Sequence, residues 1–573
     1  MLFICFVYLR PTTTSALLTS LANMAATIAK YALTSRTCTV CKRLHRSQFH
    51  TNSKLKNVVS TDCISTLPRK SEWKSVVGLE IHAQIATKSK LFSGASTQYG
   101  APVNSQVSNF DAALPGTLPV LNRKCVEAGV LTALALGCTV NPISRFDRKH
   151  YFYADLPAGY QITQQRQPLA QNGRVDYPHH IKGAGHNSVM ELRSCQILQL
   201  QLEQDSGKSL HNHCDNISLI DLNRAGVGLM ELVTEPDLRD GEDAASFVQE
   251  LQFILCEIGT CDGRMQEGSL RVDANISVHK PGQPFGVRTE VKNINSIRNV
   301  SKAIDFEIQR QIEILEAGGK IENETRSFDA QISKTVSMRD KEKVLDYRFM
   351  PEPNLPPLCL YKRESVPLGT DLDSVVIVED VQACLKELPG ETRKRITEIY
   401  DIPLGAASAL VREDGLVHLF ESLMKKPSRD KEAVINVLLN AFVGLLRAQN
   451  CKASECPIPL ESLGEICDLV ASKDISRAVL QKLLVVLFKS PQLGVTEILD
   501  REHWHIIKDR SIIEKTITEI LDTNRALLKK VLKRRDESSN AIIGPVQKKL
   551  GGLADLQTIV EVLQDILDKR GRT

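Results

Sequence analysis

Four stretches between Trp73 and Leu360 alternate polar and apolar residues with a period of two, the pattern of half-buried β-strands. In Val76–Ile85 (VVGLEIHAQI), Glu80, His82 and Gln84 share one face, with Leu79, Ile81, Ala83 and Ile85 on the other. Leu270–Val278 sets Arg271, Asp273, Asn275 and Ser277 against Val272, Ala274, Ile276 and Val278. Arg288, Glu290 and Lys292 share a face in Val287–Asn293, as do Gln199, Gln201, Glu203 and Asp205 in Leu198–Asp205. Such strands belong in an antiparallel sheet with one packed face and one wet face. Helical spacing marks Asn122–Gly137, Gly241–Ile258 and Ser296–Ala317; in the last, Ile297, Val300, Ile304, Ile308 and Leu315 recur, Asn295 or Ser296 can cap the start, and Gly318-Gly319 ends it.

The segment Pro351–Leu358 (PEPNLPPL) holds four prolines in eight residues and breaks regular structure, and from Val375 onward the pattern is almost wholly helical. The expected fold class is therefore α+β, in which a cradle built on an antiparallel sheet with flanking helices (residues 73–358) precedes an all-α connector (375–456). A tail (457–573) follows.

At 573 residues, with 42% hydrophobic and 24% charged, the chain has the composition of a globular protein of roughly three to four domains. Charge is uneven. Met1–Thr61 contains eight of the 72 basic residues and none of the 68 acidic ones, leaving the remainder mildly acidic. That acid-free, hydroxyl-rich block reads as a mitochondrial transit peptide, with a disordered basic tail or secretory signal as the alternatives, and translation can start at Met1 or Met24. No apolar stretch approaches the roughly 20 residues of a membrane span, so no membrane insertion is expected. In a matrix protein the 15 cysteines are expected to be thiols; only Cys38 and Cys41 form a CxxC pair, without a second pair at zinc spacing, so no zinc is expected.

Several enzyme classes lack local support. SGKS at Ser206–Ser209 is no P-loop, because the position that needs the first glycine is Leu202, and neither GxGxxG after a strand nor a GxSxG elbow occurs. What remains is the polar sheet face, which gathers His, Asp, Asn, Glu and Arg where a solvated face favours Lys, Glu and Thr. Several carboxylates on one concave surface repel unless a cation or bound protons offset them, so a metal site is one reading and a solvated face the other.

Ordered segments carry a resemblance: VVGLEIHAQIATKSKLFS (Val76–Ser93), LPGTLPVLN (Leu114–Asn122), FDRKHYFYADLPAGYQITQ (Phe146–Gln164), DLNRAGVGLMELVTEPD (Asp221–Asp237), EGSLRVDANISV (Glu267–Val278), RTEVKNINS (Arg288–Ser296), ETRSFD (Glu324–Asp329) and DYRFMPEPNLPPL (Asp346–Leu358). Together they resemble the Asp/Glu-tRNA amidotransferase B family in its mitochondrial form, over Trp73–Leu358 with a weaker likeness beyond. The resemblance implies a ligase subunit that uses ATP and Mg²⁺ to phosphorylate the side-chain carboxylate of Glu mischarged on tRNA(Gln). It implies a heterotrimer with an amidase A subunit, whose ammonia displaces the phosphate, and a small C subunit, in the mitochondrial matrix. A tRNA-binding scaffold without kinase chemistry is the alternative.

Carried over by position, the resemblance implies Glu80, His82, Glu203 and Glu290 for the metal, with Asp273 behind them, and Lys149 and Arg288 for the phosphates. Mg²⁺ takes only one or two carboxylates, so some of these must act indirectly, and His82 can orient a carboxylate or water instead. This sequence departs from the family at Glu203-Gln204, where many members have two acids, and at Ser108–Gly116 (SNFDAALPG), where others carry a zinc CxxC. The tail resembles the family's YqeY-like domain, and its basic runs, Lys529, Lys530, Lys533, Arg534 and Arg535, then Lys548 and Lys549, are the expected tRNA contacts.

Overall fold

The computed structural model describes residues 73–181, 189–212, 216–338, 347–523 and 540–570. The expected leader and the run Lys529–Arg535 lie outside them. Among the described residues, the four alternating stretches all enter one nine-stranded sheet. Its strands in chain order are β1 (Lys74–Gln84), β2 (Thr139–Val140), β3 (Ala170–Ile181), β4 (Val189–Gln204), β5 (Gly228–Thr234), β6 (Leu270–His279), β7 (Thr289–Ile294), β8 (Thr325–Asp329) and β9 (Lys334–Ser337). They lie side by side as β9-β8-β7-β6-β1-β5-β4-β3-β2. Pairing is antiparallel except between β7 and β8.

The three expected helices are α1 (Arg123–Ala135), α2 (Gly241–Glu257) and α3 (Ile297–Glu316). Each starts at a polar cap: Asn122 accepts from the Lys124 amide, Asp240 from Asp243 and Ser296 from Asn299. They cover the apolar face of the sheet, where Val77, Leu79, Ile81 and Ala83 of β1 join Phe247, Leu251 and Ile304 in the first core. The opposite face of β1 is left with Glu80, His82 and Gln84.

A smaller five-stranded sheet is built around Ile143–His150, which pairs with Tyr160–Gln167, Arg348–Pro351 and Leu358–Tyr361. It docks on β4 through two glutamines: Gln164 Oε1 accepts from the Leu202 amide and Gln204 Oε1 from the Ile162 amide, both at 3.0 Å. This docking brings Lys149 beside the large sheet.

The helical part has two cores. One runs from Ile396 to Leu499 and the other from Ile513 to Ile566. The expected boundary at 456/457 falls inside the former, because Leu463, Ile466 and Leu483 share it with Val434, Leu438 and Phe442. The helical stretch Lys431–Gln449 is long and apolar enough to cross a membrane, but Val434, Val437, Leu438 and Phe442 belong to this core. Arg393, 2% exposed, meets Glu250 of α2 and ties the helical part to the cradle. The ten cysteines among the described residues are free thiols.

Candidate active site

Sheet register sets the site. Gln201 on β4 lies opposite Glu231 on β5, Glu231 opposite His82 on β1, and His82 opposite Arg271 on β6. Side chains on one face of adjacent strands stand about 5 Å apart, so this row forces polar groups together. His82 Nε2 lies 3.3 Å from Glu203 Oε1 and 3.9 Å from Glu231 Oε1. One ligand atom from each of the three residues lies within 4.8 Å of the others, the spacing of a metal-binding triad. Gln201 donates to the second oxygen of Glu231 and so holds the carboxylate in place.

The electrostatics fit a pocket that wants a cation. Burial opposes an imidazolium at His82, but the hydrogen bond and charge of Glu203, with Glu231 and Asp273, outweigh it and lift the pKa to about 9. Burial and the neighbouring Glu203 charge push Glu231 up, while His82 and Lys149 hold Glu203 down against its own burial. Two buried carboxylates thus share one proton-bearing neighbour, an arrangement that a divalent ion can replace.

The other expected residues ring this cluster. Glu80 accepts from Asn275 Nδ2 at 2.9 Å and lies opposite Asp273 in register. A β-bulge sets two residues of β7, Lys292 and Asn293, against Asp273. Asn293 adopts a φ of +58°, and its amide donates to Asp273 Oδ1 at 2.7 Å. Glu290 accepts from Thr325 Oγ1 at 3.1 Å and has Lys292 Nζ at 3.5 Å. Arg288 precedes β7, which starts at Thr289, and is exposed.

Sequence reasoning did not single out Glu231. Its signal is there: Gly228–Thr234 (GLMELVT) is an apolar strand with a single charged residue. Lys292 and the Arg271–Asp205 ion pair at 2.9 Å were equally unassigned, although both Arg271 and Lys292 sit on the face the alternation defines. Gln204 points away from the triad, to the Ile162 amide, so an acid missing there removes no group from the cluster. In the Ser108–Gly116 segment, Asp111 accepts from Lys90 Nζ and Ser93 Oγ, each at 3.1 Å, and from the Ser108 amide at 2.9 Å.

Residues 75–365 match the family model described as the GatB/GatE catalytic domain, half of the chain, and residues 418–567 match the GatB domain model. The chain belongs to the GatB/GatE family. It is similar to two proteins named as the B subunit of mitochondrial glutamyl-tRNA(Gln) amidotransferase. That of Danio rerio is 49% identical over 91% of this chain and 94% of the relative, and that of Homo sapiens 49% over 87% and 89%. A Rickettsia conorii protein, named as the B subunit of aspartyl/glutamyl-tRNA(Asn/Gln) amidotransferase, is 39% identical over 87% of this chain and 98% of its own. The His82, Glu203 and Glu231 triad lies within the catalytic-domain match.

Proposed function

We propose that the chain is the B subunit of a mitochondrial glutamyl-tRNA(Gln) amidotransferase, working in the matrix with an amidase A subunit and a small C subunit. In this reading it binds ATP and charged tRNA, and a Glu side-chain oxygen attacks the γ-phosphorus as ADP leaves. Ammonia from the partner then displaces phosphate to form the amide of Gln-tRNA(Gln). A carboxylate is a poor electrophile until one oxygen becomes a phosphate leaving group, which is why ATP is needed.

The observation that carries this is the convergence of Glu203, Glu231 and His82 beside Lys149. The residues suit Mg²⁺: two carboxylates supply hard oxygens, and His82 completes the set or orients a water. When bound, the ion would neutralise charge on the phosphates. In this reading Lys149 and Lys292 would receive phosphate oxygens as point charges, with Arg288 contributing from the rim. Phosphoryl transfer depends mostly on such positioning and charge neutralisation. Lys548 and Lys549, with the basic run before them, are assigned to tRNA; Lys549 also pairs with Glu519. No zinc is invoked.

ATP hydrolysis by the purified heterotrimer, with and without Glu-tRNA(Gln), tests this. Glu203→Gln and Glu231→Gln should abolish the tRNA-dependent turnover and leave glutamine hydrolysis by the partner intact. Normal turnover in both variants would overturn the reading.

A further inference from the structure

Arg148 and Lys149 are neighbours on one strand and are held in opposite ways. Arg148 makes two hydrogen bonds to Glu352, at 2.6 and 2.9 Å, and stacks over the Tyr160 ring at 4.2 Å, so its charge is spent on structure. Lys149 has no carboxylate within ion-pair distance among the described residues. Its Nζ instead lies 4.7 Å from the centroid of the Tyr347 ring. Tyr347 immediately precedes Arg348–Pro351, where Phe349 is the register partner of Lys149, so the backbone pairing delivers the ring to the ammonium. Tyr151 braces that ring edge to face, with centroids 5.8 Å apart and planes at 71°, and Tyr151 in turn packs on Tyr153 at 5.5 Å.

We propose that Tyr347 is a positioning residue that aims Lys149 at the His82, Glu203 and Glu231 cluster without neutralising it. The inference rests on the reading of Lys149 as a phosphate-binding group. A carboxylate partner would fix the ammonium equally well but would cancel the charge that phosphate oxygens need. An aromatic face attracts the cation through its quadrupole and leaves the full charge available to an incoming anion. Gln161, the register partner of Lys149, donates to the Gln204 carbonyl at 2.7 Å, next to Glu203, so the strand paired with the one that carries the stacked ammonium lies against the strand that carries Glu203, and the charge of Lys149 acts on both Glu203 and Glu231. A four-carbon side chain left unstacked would sample many rotamers, few of them directed at the cluster.

The test is Glu-tRNA(Gln)-dependent ATP hydrolysis by the heterotrimer carrying Tyr347→Phe, Tyr347→Leu, Lys149→Met, or the Leu and Met changes together. Tyr347→Phe keeps the ring and should stay within about twofold of wild type. Tyr347→Leu should lower kcat about tenfold, the size expected for one partly desolvated cation–π contact, with an unchanged KM for charged tRNA. Adding it to Lys149→Met should cause no further loss. Tyr347→Met, of similar volume, repeats the measurement if the Leu variant melts early. Wild-type kcat in Tyr347→Leu, equal damage from Phe and Leu, or full additivity in the double variant would each overturn the positioning role while leaving Lys149 assigned. Wild-type turnover in Lys149→Met would instead remove the assignment of Lys149, and the positioning role with it.

Discussion

His82 Nε2 lies 3.3 Å from a carboxylate oxygen of Glu203, although the two residues sit on β1 and β4 with all of β5 between their strands. The intervening strand offers Glu231 at the crossing point, so three side chains reach over one another on the wet face instead of pointing to solvent. Without a cation, that proximity must be compensated by protons.

Protonation therefore ties stability to pH in the metal-free protein. The folded His82 pKa is raised from its ordinary 6.5 to about 9, and burial beside Glu203 raises Glu231 from 4.5 to about 8. Both groups bind protons more tightly folded than unfolded, so both stabilise at low pH and lose that contribution as pH rises, Glu231 between about 4.5 and 8 and His82 between about 6.5 and 9. Thermal melts without Mg²⁺ should show the melting temperature falling over pH 6.5 to 9 and a shallower fall in His82→Gln. With Mg²⁺ present the fall should be reduced, because the ion takes the place of the protons and binds more tightly as the ligands deprotonate. A metal-independent profile would argue against the triad as a cation site.

Glu231 and Glu290 should separate in mutagenesis. Glu231 contributes directly to the triad, whereas Glu290 sits on β7, two strands from β1, and is held by Lys292 of the same strand and Thr325 of β8. Glu231→Gln should remove Mg²⁺-dependent turnover altogether. Glu290→Gln should behave as the loss of a supporting group, about 10- to 100-fold in apparent Mg²⁺ affinity. Titration of activity against Mg²⁺ in the two variants distinguishes them, and equal losses would place Glu290 in the cluster as well.

The alternation of β1, β4, β6 and β7 exposed the face on which His82 and Glu203 meet, because one packed side and one wet side leave a period of two in the sequence. Glu80, His82, Glu203, Asp273 and Glu290 were therefore readable as one surface. Which of them meet was not readable, since that depends on strand order: β5 inserts between β1 and β4, and only this makes Glu231 the neighbour of His82. β3 was hidden for a different reason. Asn172, Gly173 and Pro178 resemble turn residues, yet among the described residues β2 pairs only with Ala170 and Gln171, which leaves the outer edge of β3 without a strand partner at Pro178, so its missing amide breaks no ladder bond there.

The Lys90–Asp111 pair should be a stability determinant independent of metal. Both side chains are essentially buried, at 0% and 1% exposure, and the carboxylate also takes Ser93 Oγ and the Ser108 amide. Breaking a buried pair strands a charge and typically costs about 3–5 kcal/mol. Chemical denaturation of Lys90→Met or Asp111→Ala should show a loss of that order, and Lys90→Met with Asp111→Leu less than the sum of the single changes. Treatment with a zinc chelator should leave the wild-type transition unmoved; a shift would mean that a metal holds this loop.

Truncation distinguishes the two helical cores. Leu463, Ile466, Leu480, Leu483 and Leu487 lie beyond residue 457 but pack in the core that begins at Ile396. Burying one such side chain contributes about 1.5–3 kcal/mol, so removal of 457–573 should unfold the connector with it. The core from Ile513 to Ile566 is a separate cluster whose segment meets the preceding core through Leu553, so removal of 508–573 should cost the remaining melting transition far less than the longer deletion. That shorter deletion should weaken binding of charged tRNA. Neutralising Lys529, Lys530, Lys533, Arg534 and Arg535 in the full chain should reproduce the loss and flatten the salt dependence, by roughly one unit of slope for each phosphate contact removed. An unchanged affinity and slope in the neutralised variant would mean that these five charges face only solvent.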